Sequence, residues 1–400
     1  MILVCEIMFS KGAHVPFNAG LLTTIRAAFP KEDLSFFGAA AHIEELKKEV
    51  GQPLASSITW NEILPVSPST GYCERFFLEL SVIRRLFRTL PQGSTSRLVF
   101  TSAFPSTVLA LKTARFFRSK NTPVQMVLHG LSGVVGKRYR RPIHRFQDMK
   151  TALTLLGNNN IQYIVLEQPI RDTVVKNLPF LSDKFEAFEH PISPNKGAVQ
   201  TVDLSEPIQF GFLGVANQAK GFPLFVKLAN EVTTKYERRA EFHVIGLLRK
   251  GDTPVNGTNA LATKPACMQM PRAEFIRGVS PLHFVVLPHE AAFYTLAASG
   301  VLLDAIAWEK PVIARKIPIF EAMFEKHGDI GYLFSDDAEL RTIVEQILQA
   351  ADKSRYRSQV MNLRTVRKSR APEALAAAYR KMCRTTHDLP TVCERNVHES

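Results

Sequence analysis

The chain has 400 residues, 46% of them hydrophobic and 22% charged, which allows large buried cores and favours two domains. Its five scattered cysteines lack a CxxC spacing, which argues against a disulfide framework or structural zinc site and indicates a reducing cytoplasm. No apolar run approaches the ~18–20 residues that cross a bilayer, and no basic region precedes the apolar start, so we expect no signal peptide.

The first half alternates short apolar runs with amphipathic runs. Predicted strands are Ile2–Met8, Leu34–Phe37, Ser57–Trp60, Arg97–Thr101, Val124–Leu128, Tyr163–Leu166 and Phe185–Phe188. Predicted helices are Gly20–Ala28, Ile43–Glu49, Glu74–Thr89, Ser106–Arg118 and Ile170–Asn177. This spacing predicts a Rossmann-like domain over residues 1–192, with a parallel sheet covered by helices on both faces.

Polar residues that directly follow strands are candidates for function, because ligands in such folds bind beyond the carboxyl ends of the strands. After the first strand, the loop Lys11–Asn18 contains His14 and Asn18, which could face a substrate or simply cap a helix. His129 follows the fifth strand and precedes glycines, and histidine suits proton transfer near neutral pH. A structural histidine is the alternative there.

The second half repeats the alternation after a polar stretch, residues 193–207, that we interpret as a linker. Predicted strands are Ile208–Leu213, Glu241–Gly246 and His283–Leu287, and predicted helices are Phe222–Val232, Pro271–Gly278 and Glu339–Ala350. We therefore expect a second Rossmann-like domain over residues 208–352, with its parallel sheet facing the first across a cleft. Residues 353–400 form a basic helical segment that we expect to pack back on the first domain.

The stretch Leu287–Lys316 has the pattern strand, loop, helix, turn and strand. Ser299 and Gly300 are typical of a helix start, whose free N–H groups and positive dipole attract phosphate, and glycine lets a ligand approach the backbone. Asp304, about one turn further, can accept hydrogen bonds from a ribose diol. An ordinary capped helix between two strands is the alternative.

The loop Gly214–Gly221 follows the first strand of the second half. Lys220 at its end could neutralise a diphosphate as a point charge, although an ordinary surface lysine fits equally well. The glycines do not form GxGxxG, so a dehydrogenase-type dinucleotide site is weakly supported. Without an HExxH, GxSxG or Walker motif, we expect no metal, no serine hydrolase and no P-loop enzyme.

The formal net charge is +13, and the excess is concentrated in two segments. Lys137–Arg145 carries five Lys or Arg and no acid, and Lys353–Arg384 carries ten against Glu373 alone. Basic surfaces attract anionic lipid, nucleic acid or acidic substrates, and a solvated basic surface is the alternative. Because aromatic residues are not interleaved as base stacking requires, we expect an anionic membrane surface and no nucleic acid.

These features together resemble the GT-B fold glycosyltransferases, particularly bacterial enzymes that build exopolysaccharide or lipopolysaccharide. The matching segments are Gly211–Phe222, Phe242–Gly246 and Tyr294–Ala314, the last being the most specific. The resemblance implies that the donor nucleotide is bound by Gly214, Lys220, Tyr294, Ser299, Gly300 and Asp304. It implies that His129 is a catalytic or acceptor-side residue, and it makes the loop carrying His14 and Asn18 an acceptor site.

Two positions depart from the pattern of the family. Many retaining members have two Glu residues separated by seven others; Asp304 stands at the second position and Leu296 at the first. An arginine that commonly precedes the lysine is absent from Val215–Asn217. The sequence therefore leaves open whether transfer inverts or retains the anomeric configuration.

The resemblance implies a hexosyltransferase that takes a UDP- or GDP-sugar as donor substrate, with no other cofactor and no metal. The acceptor is expected to be a saccharide or lipid-linked saccharide in surface polysaccharide synthesis. We expect a cytoplasmic protein, with peripheral attachment to the inner face of the membrane. A sugar-nucleotide epimerase of the same fold and a non-catalytic partner of an active transferase are the alternatives.

Overall fold

The computed structural model describes residues 1–10, 12–67, 69–90, 96–116, 122–131, 134, 146–158, 160–194, 199, 202–249, 255–268 and 270–384. The basic segment Lys137–Arg145 therefore lies outside the described residues, as does the tail after Arg384. Within the described part, no helix is both long enough and apolar enough to span a bilayer.

The first half forms a seven-stranded parallel sheet in the order β3-β2-β1-β4-β5-β6-β7. Its strands are β1 Ile2–Cys5, β2 Leu34–Gly38, β3 Ile58–Glu62, β4 Arg97–Phe100, β5 Val124–Leu128, β6 Ile161–Leu166 and β7 Phe185–Phe188. The central strands are buried on both faces, as a doubly covered parallel sheet requires. All seven predicted strands of this half are confirmed, with ends that differ by up to three residues.

The helices of the first half cover this sheet. They are α1 Val15–Ala28, α2 Ala40–Val50, α3 Gln52–Ala55, α4 Tyr72–Thr89, α5 Pro105–Phe116, α6 Met149–Thr154 and α7 Gln168–Asn177. Helix α1 begins five residues before the predicted start, because Pro16 in its first turn needs no N–H partner and suits a helix start. Strand β1 ends at Cys5 instead of Met8, because the N–H groups of Met8 and Phe9 donate to the carboxylate of Glu6.

The second half forms a five-stranded parallel sheet in the order β12-β11-β10-β8-β9. Its strands are β8 Ile208–Val215, β9 Ala240–Leu247, β10 Phe284–Leu287, β11 Val312–Arg315 and β12 Gly331–Phe334. Its helices are α8 Phe222–Lys235, α9 Arg272–Val279, α10 Ala291–Tyr294, α11 Gly300–Ala307, α12 Pro318–His327 and α13 Asp337–Gln349. The predicted α/β architecture with two Rossmann-like parallel sheets is confirmed.

Two C-terminal helices, α14 Lys353–Ser369 and α15 Pro372–Arg384, join the two halves. Between them, the buried guanidinium of Arg370 binds the carboxylate of Glu167, which follows β6 of the first sheet. Helix α15 then packs against α1, and the hydroxyl of Tyr379 donates to Gln125 on β5 at 2.6 Å. Over the described residues, elements of the first half and α15 thus both lie on the first sheet, and the second sheet is formed by the residues between them.

Candidate functional site

The loops at the carboxyl ends of the two sheets meet across a cleft. The N–H of Leu131, after β5, donates to the carbonyl of Leu296 at 3.1 Å, and Gly130 pairs with Ala297 in a short antiparallel bridge. Because His129 precedes the first loop and Ser299 follows the second, this contact brings the two predicted sites to one place. Leu296 itself is buried.

On the second sheet, a tight loop carries Lys220. The side chain of Asn217 accepts from the N–H of Lys220 at 3.0 Å and forms a 3₁₀ turn over Gln218–Lys220. Gly221 follows with φ 73°, and a Cβ there would stand 1.9 Å from the carbonyl oxygen of Pro288, so only glycine fits. The turn therefore presses Lys220 against the loop that follows β10.

Lys220, Gly214 and Asp304 come together at the end of β8. Gly214 has φ 83°, and a Cβ added to it would stand 2.7 Å from the ammonium nitrogen of Lys220. Burial lowers the pKa of Lys220 to about 8, against the attraction of Asp304, while Arg249 nearby lowers it further. Burial raises the pKa of Asp304 to about 6, against the attraction of Arg272 and Lys220. The two predicted donor-binding charges are thus close enough to attract each other across the pocket, while the ion pair of Asp304 is with Arg272.

Helix α11 begins where the sequence predicts. Ser299 is its N-cap, because its hydroxyl accepts from the N–H of Leu302 at 3.3 Å. Gly300 is exposed, and an added Cβ would meet nothing within 4 Å, so the first turn of the helix is open to a ligand. The N–H groups of a first helical turn have no partner within the helix and are of the kind that binds anions at helix termini.

His289 and Tyr294 pack beneath this helix start. The ring of His289 lies 4.1 Å from that of Tyr294 and its Nε2 is 3.1 Å from the hydroxyl of Ser299. Burial lowers the pKa of His289 to about 3, and Lys220 contributes, so the imidazole is neutral. Tyr294 ends the short helix α10 instead of lying in an open loop, and its ring supports His289.

Arg272 is a site residue that the sequence analysis missed. Its guanidinium lies 3.9 Å from the carboxylate of Asp304 and 4.0 Å from that of Glu49, which belongs to α2 in the first half. Both distances exceed hydrogen-bond length, and the buried Nε has no hydrogen-bond partner among the described residues. No local sequence motif predicts a role for Arg272, because its contacts with Asp304 and Glu49 join α9 to α11 and α2, which are far apart in the chain.

On the first sheet, His14 and His129 form a pair. Their ring centroids are 4.2 Å apart, and Nε2 of His129 is 2.8 Å from the carbonyl oxygen of Thr101. Because a carbonyl only accepts, this nitrogen carries the hydrogen and Nδ1 of neutral His129 has the free lone pair. Burial lowers the pKa of both histidines, that of His14 to about 3, and nearby histidines contribute.

A buried carboxylate, Glu6, organises the floor beneath this pair. It accepts from the hydroxyls of Ser102 at 2.5 Å and Thr101 at 2.9 Å, and from two backbone N–H groups. Asn18 donates to it at 3.4 Å. Nδ1 of His14 lies 3.9 Å from the same carboxylate. The sequence analysis missed Glu6, although an acid directly after the first buried strand is a signal for such a role.

Asn18, which the sequence predicts as an acceptor-binding residue, has no exposed surface. Its amide donates to Nε2 of His42 at 2.9 Å and to Glu6, so it supports the floor of the site from below. Its acceptor-binding role stays a prediction. His190 also reaches this region, where Phe17 packs between it and His129.

Within the described part of the chain, no group of three or more His, Cys, Asp or Glu side chains is placed to hold a metal ion. Both walls of the cleft carry polar groups, and the two walls carry groups of different kinds. The second sheet offers helix N–H groups, an ammonium and a carboxylate, and the first offers neutral imidazoles over a buried carboxylate. Such a site can hold an anion on one wall and accept a proton on the other.

Solved structures with a similar fold include glycosyltransferases of the GT-B fold. The chain resembles an E. coli trehalose-6-phosphate structure bound with UDP-2-fluoro glucose, with a TM-score of 0.66 at 12% identity over 98% of this chain and 100% of that one. It resembles Anabaena HepE in complex with UDP and glucose, with a TM-score of 0.64 at 12% identity over 96% and 100%. A glycosyltransferase from Rickettsia africae gives 0.62 at 10% identity over 97% and 99%.

At these identities the likeness establishes the fold alone. No protein-family model and no curated protein sequence matches the chain. The chain therefore has the GT-B fold, with two parallel sheets facing across a cleft, as the resemblance implied. The exopolysaccharide or lipopolysaccharide type remains a prediction.

Proposed function

We propose that the chain is a nucleotide-sugar-dependent glycosyltransferase. One observation carries the proposal: the loop that leads into α11, next to Lys220 and Asp304, contacts the loop that follows His129 through Leu296 and Leu131. Phosphate, ribose and an acceptor hydroxyl are the three groups that such a set of donors, acceptors and bases would bind together.

The donor diphosphate would lie on the first turn of α11. The N–H of Gly300 and the ammonium of Lys220 stabilise the charge that grows on the diphosphate as the bond to the sugar breaks. Asp304 accepts from the ribose diol. Arg272 and Arg249 add positive charge to this wall, and they offset the arginine that is absent from Val215–Asn217.

The acceptor would approach from the first sheet. Its hydroxyl oxygen bonds to C1 of the sugar, the bond from C1 to the phosphate oxygen breaks, and the nucleoside diphosphate leaves. In an inverting reaction, Nδ1 of His129 takes the hydroxyl proton, which is the role that its free lone pair suits. In a retaining reaction, His129 orients the substrate, and Leu296 supplies no carboxylate beside the donor.

The donor is proposed to be a UDP- or GDP-hexose and the acceptor a saccharide or lipid-linked saccharide of a surface polysaccharide. The uridine ligands of the two related structures support a uridine donor. We retain the expectation of a cytoplasmic enzyme at the inner face of the membrane. No metal or further cofactor is part of the proposal.

A calorimetric screen of nucleoside diphosphates and their sugars tests the proposal. We expect one nucleoside diphosphate to bind, and its sugar to be transferred in the presence of an acceptor mixture. Conversion of the nucleotide sugar without acceptor would identify an epimerase instead. Nucleotide binding without turnover in every preparation would identify a non-catalytic partner, and absence of any nucleotide binding would overturn the proposal.

A further inference from the structure

Helix α4 buries one face and exposes the other. Its buried residues are Glu79, Leu80, Ile83 and Leu86. Its exposed stripe holds two apolar residues followed by three arginines, which we call the α4 face: Phe77, Leu78, Arg84, Arg85 and Arg88. Phe77 is 66% exposed and Leu78 45% exposed, which is unusual for large apolar side chains that lie next to each other.

The three arginines of the α4 face form no hydrogen bond or ion pair with any other described residue. The arginines of the C-terminal basic segment differ, because most of them are used inside the protein. Arg364 and Arg367 bind Glu309, Arg370 binds Glu167, Arg355 pairs with Asp329 and Arg357 with Asp203. Five of the ten cations of this C-terminal segment thus pair with acids in the described part of the chain, whereas no described acid pairs with an arginine of the α4 face.

The apolar end of α4 lies at the cleft edge of the first sheet. A helix that follows a parallel strand starts at the carboxyl edge, and Nε of Arg75 donates to the hydroxyl of Ser106 at 3.0 Å, at the start of α5. The loop before α5 also contains Ser102, which binds Glu6 under the histidine pair. Phe77 is therefore on the same edge as the candidate acceptor site, and the arginines lie toward the opposite edge.

A further exposed aromatic residue lies beside this end of the helix. The hydroxyl of Tyr72, the first residue of α4, donates to the carbonyl of Phe146, whose side chain is 49% exposed. Leu64, in the loop that leads into α4, is 88% exposed. Two further exposed apolar side chains, Leu64 and Phe146, thus lie on segments next to the start of α4.

We propose that the α4 face docks on an anionic lipid bilayer. Phenylalanine and leucine insert at the boundary between headgroups and acyl chains, and arginines bind lipid phosphates beside them. From Phe77 to Arg88 the helix rises roughly 16 Å, so the whole face can lie flat in that boundary. A second copy of this chain fits the face less well, because the α4 face has three arginines and no acid, so an isologous contact would place cations of both copies in one interface.

The docking has a consequence for the reaction, and only this consequence rests on the proposed function. A bilayer under the α4 face would lie next to the cleft edge that carries His14 and His129. A lipid-linked acceptor could then reach the histidine pair from the membrane without first leaving it. The docked orientation therefore favours the lipid-linked acceptor over a free saccharide.

Vesicle flotation of the full chain tests the proposal, with phosphatidylcholine vesicles that contain or lack phosphatidylglycerol. The wild type should float with phosphatidylglycerol vesicles only, and salt should weaken its binding. Replacing Arg84, Arg85 and Arg88 together by glutamine should lower the partition coefficient about a hundredfold, since each arginine near an anionic surface contributes about fivefold. Phe77→Ser should lower it about tenfold.

Matched controls separate the α4 face from general charge and exposure. Lys31, Lys227 and Arg238 are exposed cations elsewhere on the chain, and their joint replacement by glutamine removes the same charge. Met361→Ser removes an apolar side chain with the same 66% exposure as Phe77. Both controls should float like the wild type, and all variants should keep the wild-type circular dichroism and melting temperature.

Several results would overturn the proposal. These are flotation that does not depend on phosphatidylglycerol, absence of flotation, and equal losses in the α4 and control triples. A wild-type dimer in light scattering that Phe77→Ser makes monomeric would assign the face to a second copy. Flotation is measured without donor or acceptor, so the two proposals fail separately. A chain that floats but transfers no sugar would contradict the proposed transferase alone. A chain that transfers sugar but does not float would contradict the membrane docking alone.

Discussion

The ammonium of Lys220 occupies the space that a side chain on Gly214 would fill, with 2.7 Å between its nitrogen and the missing Cβ. Gly214, the penultimate residue of β8, lies in the left-handed region, and Lys220 ends the turn that follows. A side chain at position 214 would therefore require the ammonium of Lys220 to move. This relationship turns a loop with an unremarkable sequence into one wall of the candidate donor pocket.

Gly214→Ala should displace Lys220 and strain the backbone. We expect a loss of stability of about 1–2 kcal/mol from the positive φ, and an affinity for the cognate nucleoside diphosphate that falls about tenfold. Thermal unfolding and calorimetry measure the two effects. Gly51→Ala is the matched control, because it has φ 80° but open space around the added Cβ. It should be destabilised similarly and bind nucleotide normally; equal binding losses in both variants would contradict the role of Gly214.

The affinity for the nucleoside diphosphate should fall as the pH rises through about 8. Binding of the anion requires protonated Lys220, whose pKa is lowered to about 8 by burial. The groups that face Lys220 are Asp304, Arg249 and His289, and His289 stays neutral throughout because its pKa is lowered to about 3. The decline should approach about tenfold per pH unit at its steepest.

Lys220→Gln is the variant that assigns this pH dependence. It should bind more weakly at pH 7 and show a flat profile between pH 7 and pH 9, and Lys227→Gln, on an exposed helix face, should retain the wild-type profile. Calorimetry in buffers of matched ionic strength gives the profiles. A wild-type slope in Lys220→Gln would assign the titration to another group.

The carboxylate of Asp304 should accept a hydrogen bond from the ribose of the donor. In the wild type, the 2′-deoxy form of the cognate diphosphate should bind about tenfold more weakly than the ribose form, because a charge-assisted hydrogen bond is lost. In Asp304→Ala the two ligands should bind alike. Comparing the two ligands in the two proteins is a double-mutant cycle, and it isolates the contact between the carboxylate and the ribose. An unchanged ratio would remove Asp304 from the ribose site, whatever the change in absolute affinity.

His129→Gln should abolish transfer while it leaves donor binding intact. Loss of a general base costs about 10²–10⁴ in rate, and a glutamine can still donate to the carbonyl of Thr101 and preserve the local structure. Steady-state kinetics and calorimetry on the same preparation measure both properties. Wild-type turnover in this variant would exclude His129 from catalysis, and weakened donor binding would give it a different role.

Glu6→Leu should destabilise the first half by several kcal/mol. The substitution leaves two hydroxyls, an amide and two backbone N–H groups buried without their acceptor, and each unmet group costs about 1–3 kcal/mol. Glu6→Gln keeps an acceptor oxygen and should lose less. Urea unfolding measures both, with the surface variant Glu62→Gln as control. Equal stability of Glu6→Leu and Glu62→Gln would show that Glu6 does not hold the floor.

Periodicity alone located the strands and most helices, because a buried parallel sheet requires apolar runs and covering helices require amphipathic ones. It placed the start of α11 correctly, since Ser299 as N-cap and Gly300 are local signals. It missed the start of α1 by five residues and the end of β1 by three. Those ends depend on Pro16 in the first turn and on the carboxylate of Glu6, both of which act on backbone groups that periodicity does not report.

The sequence by itself determined the two-sheet fold and the polar loops after β1, β5, β8 and β10, because residue type and spacing fix local structure and the edge of a parallel sheet. Only the tertiary structure decided which of those loops share a site. Arg272 meets Asp304 and Glu49, and Glu6 supports His14, through contacts between residues far apart in the chain. It also decided which arginines are neutralised and which, on α4, remain available, since pairing depends on what folding brings within reach of each charge.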